Sequence, residues 1–221
     1  MPWIDNLMRK NPIARYISKK SSAMAKFGGD RIRERRAKDV LSPTEEKDFL
    51  SKFLRAAKVH PQTVDDKAIV SYMITNLVAG SDTTAISLRA TLYYLLKHTD
   101  CYKRLREEID GAGLPDGPVN WENSQKLTYL GACVKEAFRM HPAVGLPLER
   151  VTLSEYELPN GQKVPAGTIV AISAWPIHRN ASIFGDNPEQ YQPERWLRQP
   201  QETLEAFEER VKRMKRADMT F

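Results

Sequence analysis

Six residues in the middle of a long apolar run, Ala79 to Thr84, combine residue types that could support chemistry inside a helix. Gly80 has no side chain, so a bulky ligand could approach the backbone there, and hydroxyls that bond back to carbonyls can widen a helical turn. Asp82, Thr83 and a water held in such a widening could pass protons into an apolar pocket. A simpler interpretation stays open, in which Gly80 is a packing contact and Asp82 a satisfied core acid.

A second pattern follows in Glu136 and Arg139, which are three residues apart and therefore share one face of a helix. Exposed ion pairs of this kind contribute only about 0.3 to 0.5 kcal/mol. A functional role for the pair therefore requires burial and a third partner.

The element that must position the first pattern is predicted as one long helix from about Val64 to Thr99, spanning roughly 50 Å. We expect Thr63 to cap it, with Asp66 as the capping-box partner. Between Ala68 and Leu96 the only charges are Asp82 and Arg89, so most of the helix is expected to be buried. A membrane span is rejected, because Asp82 near its centre would cost roughly 2.5 to 3.5 kcal/mol.

The composition limits the remaining possibilities. With 221 residues, of which 41% are hydrophobic, the chain can form one domain or two, and we expect neither a signal peptide nor a transmembrane segment. Cys101 and Cys133 form no metal-binding spacing and no disulfide framework, which fits a reducing compartment.

The net charge of +6 is concentrated at the front of the chain. Residues 1–40 contain eleven Lys or Arg against four Asp or Glu, which gives +7 and leaves −1 for the rest. Such a segment could contact an anionic membrane surface, although a solvated helix face is the commoner explanation. No nucleic-acid-binding motif accompanies it, so we expect no nucleic-acid partner.

The remaining pattern predicts a mainly α fold with a small antiparallel β-sheet. Residues 1–40 are predicted as one or two amphipathic helices broken near Gly28-Gly29, and a second helix ends at His60-Pro61. Further helices are predicted after an Asp100 cap, at residues 129–140 and at 202–216. The expected strands are Val151–Leu153, Tyr156–Leu158 and Thr168–Ile172, with a hairpin turn at Asn160-Gly161.

Three phrases in this order and spacing, Ala79 to Thr84, Glu136 to Arg139 and Pro193-Glu194-Arg195-Trp196, resemble successive signatures of the cytochrome P-450 family of haem-thiolate monooxygenases. The surrounding phrases resemble the eukaryotic microsomal branch and are similar to fungal pisatin demethylase-like enzymes. The resemblance implies a single partial cytochrome P-450 domain over residues 1–221, from roughly helix G to the region just before the haem-binding loop. Its expected parts are basic amphipathic helices (1–62), the long central helix (63–99), helices ending in Glu-x-x-Arg (100–142), a small sheet (143–175) and an irregular region (176–221).

The resemblance also implies roles for individual residues. Ala79 and Gly80 would lie beside the oxygen site, and Asp82 and Thr83 would relay protons. Glu136, Arg139 and Arg195 would form a buried ion triad, and Arg150 would pair with a haem propionate. The apolar residues Ala143, Val144, Gly145 and Leu146 would line the substrate pocket.

One departure from the family pattern concerns the iron ligand. The family's axial cysteine is expected beyond Phe221, and neither Cys101 nor Cys133 matches its loop, so we expect no metal ligand among residues 1–221. We also expect the family's first helices and its membrane anchor to be missing, and the chain to be inactive alone.

The function implied is oxidation of a small apolar organic substrate, in fungal secondary metabolism. The reaction would use dioxygen, haem and NADPH-derived electrons from an NADPH-cytochrome reductase. The complete protein would lie at the cytosolic face of the endoplasmic reticulum membrane, and the chain would otherwise be cytoplasmic. The alternative is a non-enzymatic helical interaction or regulatory protein that binds no haem.

Overall fold

The computed structural model describes residues 23–37 and 48–220. These residues form a mainly α-helical fold with two short antiparallel β-ribbons, which confirms the predicted fold class. The chain divides into two compact units, Met1–Asp82 and Thr83–Phe221. The helices predicted before residue 23 and the anionic-surface contact assigned to that segment lie outside the described residues.

The described part of the first unit contains helices α1 (Ala23–Ala37) and α2 (Phe49–Val59) and the start of α3 (Asp66–Lys97). Asp48 caps α2 by accepting a hydrogen bond from the Ser51 N–H at 2.8 Å, and it also pairs with Arg35 of α1 at 2.6 Å. The hydrogen bond from Arg35 is the main reason that the pKa of Asp48 falls to about 2. One carboxylate therefore both starts α2 and joins it to α1.

The predicted break at Gly28-Gly29 is wrong, because α1 runs through both glycines. Glycine costs a helix interior roughly 1 kcal/mol relative to alanine, which favours a break without preventing a helix. A β-carbon at position 28 would lie 3.6 Å from Val70 Cγ1, an ordinary van der Waals contact, so α1 passes close to α3 here without requiring the glycine. Ion pairs of Arg31 with Glu34 and of Arg33 with Asp30, each three residues apart, support the following turn.

The long helix α3 is present, but its start differs from the prediction. Asp65, not Thr63, provides the cap, because its carboxylate accepts a hydrogen bond from the Ala68 N–H at 2.8 Å. The Thr63 N–H instead donates to the His60 carbonyl at 3.0 Å, which places Thr63 in the turn that closes α2. The predicted widening near Gly80 is also absent: α3 is α-helical throughout, and Ser81 bonds back to the Leu77 carbonyl at 2.7 Å without opening the turn.

The expected burial of α3 is wrong for much of its length. Leu88, Leu92 and Leu96 are 61%, 60% and 70% exposed, and Asp82 is exposed as well. An apolar pattern predicts which face of a helix is suited to burial, but burial itself requires other residues to pack against that face. Within residues 23–37 and 48–220, no residues cover Leu88, Leu92 and Leu96 in this way.

The second unit holds the remaining helices. They are α4 (Thr99–Gly111), α5 (Trp121–Ser124), α6 (Thr128–Met140), α7 (Ala174–Ile177), α8 (Ala181–Phe184), a 3-10 helix (Pro193–Trp196) and α9 (Leu204–Arg216). Asp100 was expected to cap α4, but the helix begins at Thr99 after His98, which gives no side-chain cap. Asp100 therefore lies in the first turn, where a carboxylate suits the positive end of the helix.

Side chains of α6 provide the centre of the core. Tyr129 and Cys133 pack with Leu95 and Leu105 on one side. Ala132 packs with Phe184, Trp196 and Met214, and Ala137 and Met140 pack with Tyr191. The helix is therefore covered on several faces by the 3-10 helix, α4 and the loop before Tyr191.

The predicted single sheet is instead two separate ribbons. Strand β1 (Leu148–Val151) pairs with β4 (Ile169–Ile172). In the segment that connects these two strands, β2 (Tyr156–Glu157) pairs with β3 (Lys163–Val164). The second ribbon turns at the predicted Asn160-Gly161, where Gly161 has a φ of 81°. Among the described residues, no helix has the length and apolar character that crossing a membrane requires.

Candidate functional site

The candidate site is built on the last turns of α6, which point two charged side chains into the core. Glu136 and Arg139 are 0% and 1% exposed. Arg139 Nη2 donates to Glu136 Oε1 at 2.7 Å and Arg139 Nε donates to Oε2 at 2.9 Å. This two-pronged geometry matches the fixed fork of a guanidinium to a carboxylate.

The 3-10 helix Pro193–Trp196 brings further donors to the same carboxylate. Arg195 Nε lies 3.3 Å from Glu136 Oε1, and Trp196 Nε1 donates to Oε2 at 2.9 Å. The backbone N–H of Gln192 donates to Oε1 at 3.0 Å. The structure therefore joins the three predicted triad residues and adds an indole and a peptide N–H to them.

Two buried guanidiniums against one carboxylate leave excess positive charge, which backbone carbonyls offset. Arg139 Nη1 donates to the carbonyls of His178 and Pro188 at 2.7 and 2.6 Å, and Nη2 donates to the Gln190 carbonyl at 3.0 Å. Arg195 donates to the carbonyls of Phe184, Asp186 (3.3 Å) and Asn187 (3.2 Å). Burial lowers the pKa of Arg195 while Glu136 raises it, and a guanidinium stays charged because its unperturbed pKa is so high.

The sequence alone did not identify Trp196 or His178 as members of this network. Trp196 follows directly after Arg195, and its indole N–H needs a partner once buried, so the Pro-Glu-Arg-Trp phrase contained a usable signal. For His178 the signal was weaker, because no spacing connects it to α6.

His178 is fully buried and uses both ring nitrogens. Nδ1 donates to the Arg139 carbonyl at 3.1 Å, and Nε2 accepts from the Met219 N–H at 2.9 Å, which fixes the neutral tautomer with its proton on Nδ1. Burial lowers the pKa of His178, and the charge of Arg139 acts in the same direction. The histidine therefore ties the end of α6 to residue 219 only while it is uncharged.

The residues predicted to handle oxygen and protons lie along α3. Ala79, Gly80 and Asp82 are exposed, and Thr83 is partly exposed. Gly80 is at the edge of an apolar cavity of about 490 Å³ in the first unit, which also includes Phe27 of α1 and Phe53 of α2.

The residues predicted to bind a propionate and a substrate lie between α6 and the end of β1. Arg150 is exposed on β1, and its Nη1 donates to the Glu149 carbonyl at 2.7 Å. Ala143 is partly exposed, whereas Val144, Gly145 and Leu146 are exposed, Leu146 by 79%. In the described structure Arg150 has no hydrogen bond or ion pair to the Glu136 network.

The surroundings of both cysteines favour the protonated thiol over the thiolate. Burial raises the pKa of Cys133 to about 12 and also raises the pKa of Cys101. Within the described ranges, no group of three or more His, Cys, Asp or Glu side chains could hold a metal ion.

Comparisons with known proteins agree on one family. The cytochrome P450 family model matches residues 3–213. A cytochrome P450 monooxygenase of Aspergillus terreus is 38% identical over 207 residues, which cover 90% of this chain and 42% of the relative. The cytochrome P450 monooxygenase cicH of Emericella nidulans is 41% identical over 202 residues, covering 89% of this chain and 40% of the relative.

A third relative, the cytochrome P450 monooxygenase cfoH of Aspergillus candidus, is 34% identical over 221 residues, covering 100% of this chain and 41% of the relative. The chain thus spans about two fifths of the length of these curated relatives. The pisatin demethylase-like subtype stays a prediction.

The buried network predicts a large stability effect for Glu136→Ala. This change leaves two buried guanidiniums without their carboxylate, so we expect the free energy of unfolding to fall by about 3 to 5 kcal/mol, measured by urea unfolding followed with tryptophan fluorescence. Asp110→Ala is the matched control, since its pair with Arg106 at 3.5 Å is exposed and worth only about 0.3 to 0.5 kcal/mol. Equal losses in the two variants would contradict the proposed importance of burial.

The His178 geometry predicts an acid-sensitive stability. Because the folded pKa is lowered, the unfolded chain binds the proton more readily, so stability should decline as the pH falls below about 6.5, the unfolded histidine value. His178→Gln should be less stable at pH 7 and should show a flatter profile between pH 7 and pH 5. His60→Gln, at the exposed end of α2, should keep the wild-type profile, and an unaltered profile in His178→Gln would refute the assignment.

Proposed function

Because this chain belongs to the cytochrome P450 family, we propose that the whole protein is a haem-dependent monooxygenase. It would insert one oxygen atom from dioxygen into an apolar organic substrate, with electrons delivered from NADPH through a cytochrome reductase. The named relatives are fungal enzymes, which supports a place in fungal secondary metabolism.

The observation that supports this proposal best is the buried network around Glu136. Two cations, an indole and a peptide N–H converge on one carboxylate with 0% exposure. A surface ion pair would need none of these partners. We infer that the network fixes the core segment after α6, on which a cofactor can be seated.

The described residues fit haem in part. The exposed guanidinium of Arg150 suits a propionate carboxylate, and the exposed apolar stretch 143–146 suits the edge of a porphyrin or a substrate lying on it. The thiols of Cys101 and Cys133 do not suit the iron, because burial holds both protonated. Haem, when bound, would supply the activation of dioxygen.

Residues of α3 would manage protons beside that centre. We assign Ala79 and Gly80 to the wall of the oxygen site, since small side chains leave room for a ligand at the helix backbone. Asp82 and Thr83 would hold and transfer protons through a carboxylate and a hydroxyl one residue apart. This assignment rests on the family motif, and the exposure of Asp82 makes its carboxylate accessible to water.

The proposed substrate contacts are Ala143, Val144, Gly145 and Leu146. None of them carries a polar side chain, so they would bind an apolar surface and leave the position of oxidation to the shape of the pocket. Nucleic acid is not an expected partner. We place the whole protein at the cytosolic face of the endoplasmic reticulum membrane.

One observation favours a second candidate for the chain by itself. Leu88, Leu92 and Leu96 form an exposed apolar stripe on α3, which is typical of an interaction surface. A helical interaction or regulatory protein that binds no haem would use such a stripe, and the chain alone would then lack monooxygenase activity.

Haem loading distinguishes the two candidates. The gene should be expressed with its flanking coding sequence, and haem content, the spectrum of the reduced carbon monoxide complex and reductase-dependent oxygen consumption should be measured. We expect stoichiometric haem and a thiolate-type spectrum. A folded protein that takes up no haem would overturn the monooxygenase proposal and support the interaction protein.

The proton-relay assignment predicts uncoupling in Thr83→Ala. Without the hydroxyl, proton delivery to the oxygen site should no longer be controlled. Oxygen consumption should therefore continue, while the amount of product formed per oxygen consumed falls at least severalfold. Thr83→Ser retains the hydroxyl and should keep the coupling, and Thr84→Ala controls for loss of a threonine from the same turn. Unchanged coupling in Thr83→Ala would remove Thr83 from the relay.

A further inference from the structure

A second cavity, of about 460 Å³, lies in the second unit and shares no lining residue with the Glu136 network. It is lined by Ile86, Arg89, Ala90, Tyr93 and Tyr94 of α3 and by His141 after α6. Its volume is within the range of small-molecule sites. None of these residues belongs to the sites proposed above.

Arg89 gives this cavity its chemical character. It is one of only two charged residues between Ala68 and Leu96, and its guanidinium makes no hydrogen bond or ion pair with any residue in the described part of the chain. The guanidinium is charged at all relevant pH values and offers five N–H donors in a planar fork. His141 adds an imidazole to the same lining, and no carboxylate lies among the described lining residues.

The surroundings are also positive. Lys97 Nζ lies 5.6 Å from the centre of the Tyr93 ring. Burial raises the pKa of the Tyr94 hydroxyl, whereas Arg179, Lys97 and Arg139 all act to lower it through their charges. Arg139 and Arg179 are paired with Glu136 at 2.7 Å and with Glu189 at 2.9 Å, so the net positive charge beside the cavity comes from Arg89 and Lys97 and attracts anions.

The aromatic wall is held in place before any ligand arrives. Tyr94 stacks on Tyr191 with ring centres 4.9 Å apart and planes 7° from parallel. The His98 ring lies 5.1 Å from that of Tyr191, and His98 Nδ1 donates to the Tyr94 carbonyl at 2.9 Å. Tyr191 is itself fixed, because its hydroxyl donates to the Cys133 carbonyl at 3.0 Å.

We propose that this cavity binds a small aromatic carboxylate, with the carboxylate paired to Arg89 and the ring packed against Tyr93, Tyr94 and Ile86. A guanidinium fork selects a planar carboxylate, and a lining of two tyrosines, an isoleucine and an alanine selects a flat apolar body. This site is independent of the proposed monooxygenase activity and needs no cofactor.

The test uses the 221-residue chain with 2-naphthoate and its uncharged analogue 2-naphthamide, titrated by ligand-detected NMR and calorimetry. We expect naphthoate to bind and the amide to bind at least about tenfold more weakly, a difference of about 1.4 kcal/mol. Arg89→Gln should reduce naphthoate affinity by a similar factor and leave amide binding unchanged. Arg89→Lys should give an intermediate loss, because lysine keeps the charge but not the fork.

Arg106→Gln is the matched control, since it removes an exposed arginine from α4 outside the cavity and should change nothing. Arg89 is exposed, so the variant should fold, and circular dichroism verifies this. Equal affinity for the two compounds, no binding of naphthoate, or wild-type affinity in Arg89→Gln would each overturn the proposal.

Discussion

The second unit depends on the solvation of one carboxylate. Glu136 has left water completely, and a carboxylate in that position is tolerated only if protein groups replace its hydration. Two arginines, a tryptophan and a peptide N–H do so, and they come from α6 and from residues 192–196. Because these segments are more than fifty residues apart in sequence, satisfying Glu136 requires the intervening chain to fold around α6.

The need to satisfy the Glu136 carboxylate also explains how the neighbouring segments are arranged around α6. The residues that surround it make apolar clusters on several faces, and the loop residues between α8 and the 3-10 helix turn their carbonyls toward the arginines. Apolar packing supplies most of the favourable free energy in such a core, while the polar network makes the loss of any one partner costly, because a buried charge would be left uncompensated. Arg210 adds contacts at the outer side of this network, since it donates to the carbonyls of Arg195 and Leu197 and pairs with Glu202 at 2.7 Å.

Sequence reasoning predicted the parts of this architecture that depend on local pattern. The long helix, the helix ending at Met140, the Asn160-Gly161 turn and the helix near residues 204–216 all follow from periodicity, caps and turn chemistry. Sequence reasoning was wrong where the structure of a helix depends on the residues that pack against it. Gly28 is helical within α1 and packs beside α3, Asp65 replaces Thr63 as a cap because Thr63 is used by the preceding turn, and the leucines of α3 are exposed. For the site, spacing indicated Glu136 and Arg139, whereas the contribution of His178 depends on a contact across thirty-nine residues that no local pattern encodes.

The loop from Phe184 to Gln190 contributes to the network almost entirely through its carbonyl oxygens. Every amino acid provides that group, so the side chains of Asp186 and Gln190 are free to diverge without altering the coordination of the arginines. The path of the backbone has no such freedom: Gly185 has a φ of 77° and Asn187 a φ of 53°, both in the left-handed region. The loop should therefore tolerate substitution at positions 186 and 190 over evolutionary time, whereas residue 185 should remain glycine, because its φ of 77° and ψ of −168° strain any other residue. Insertions and deletions should be rejected, because they would move the carbonyl oxygens away from the arginines.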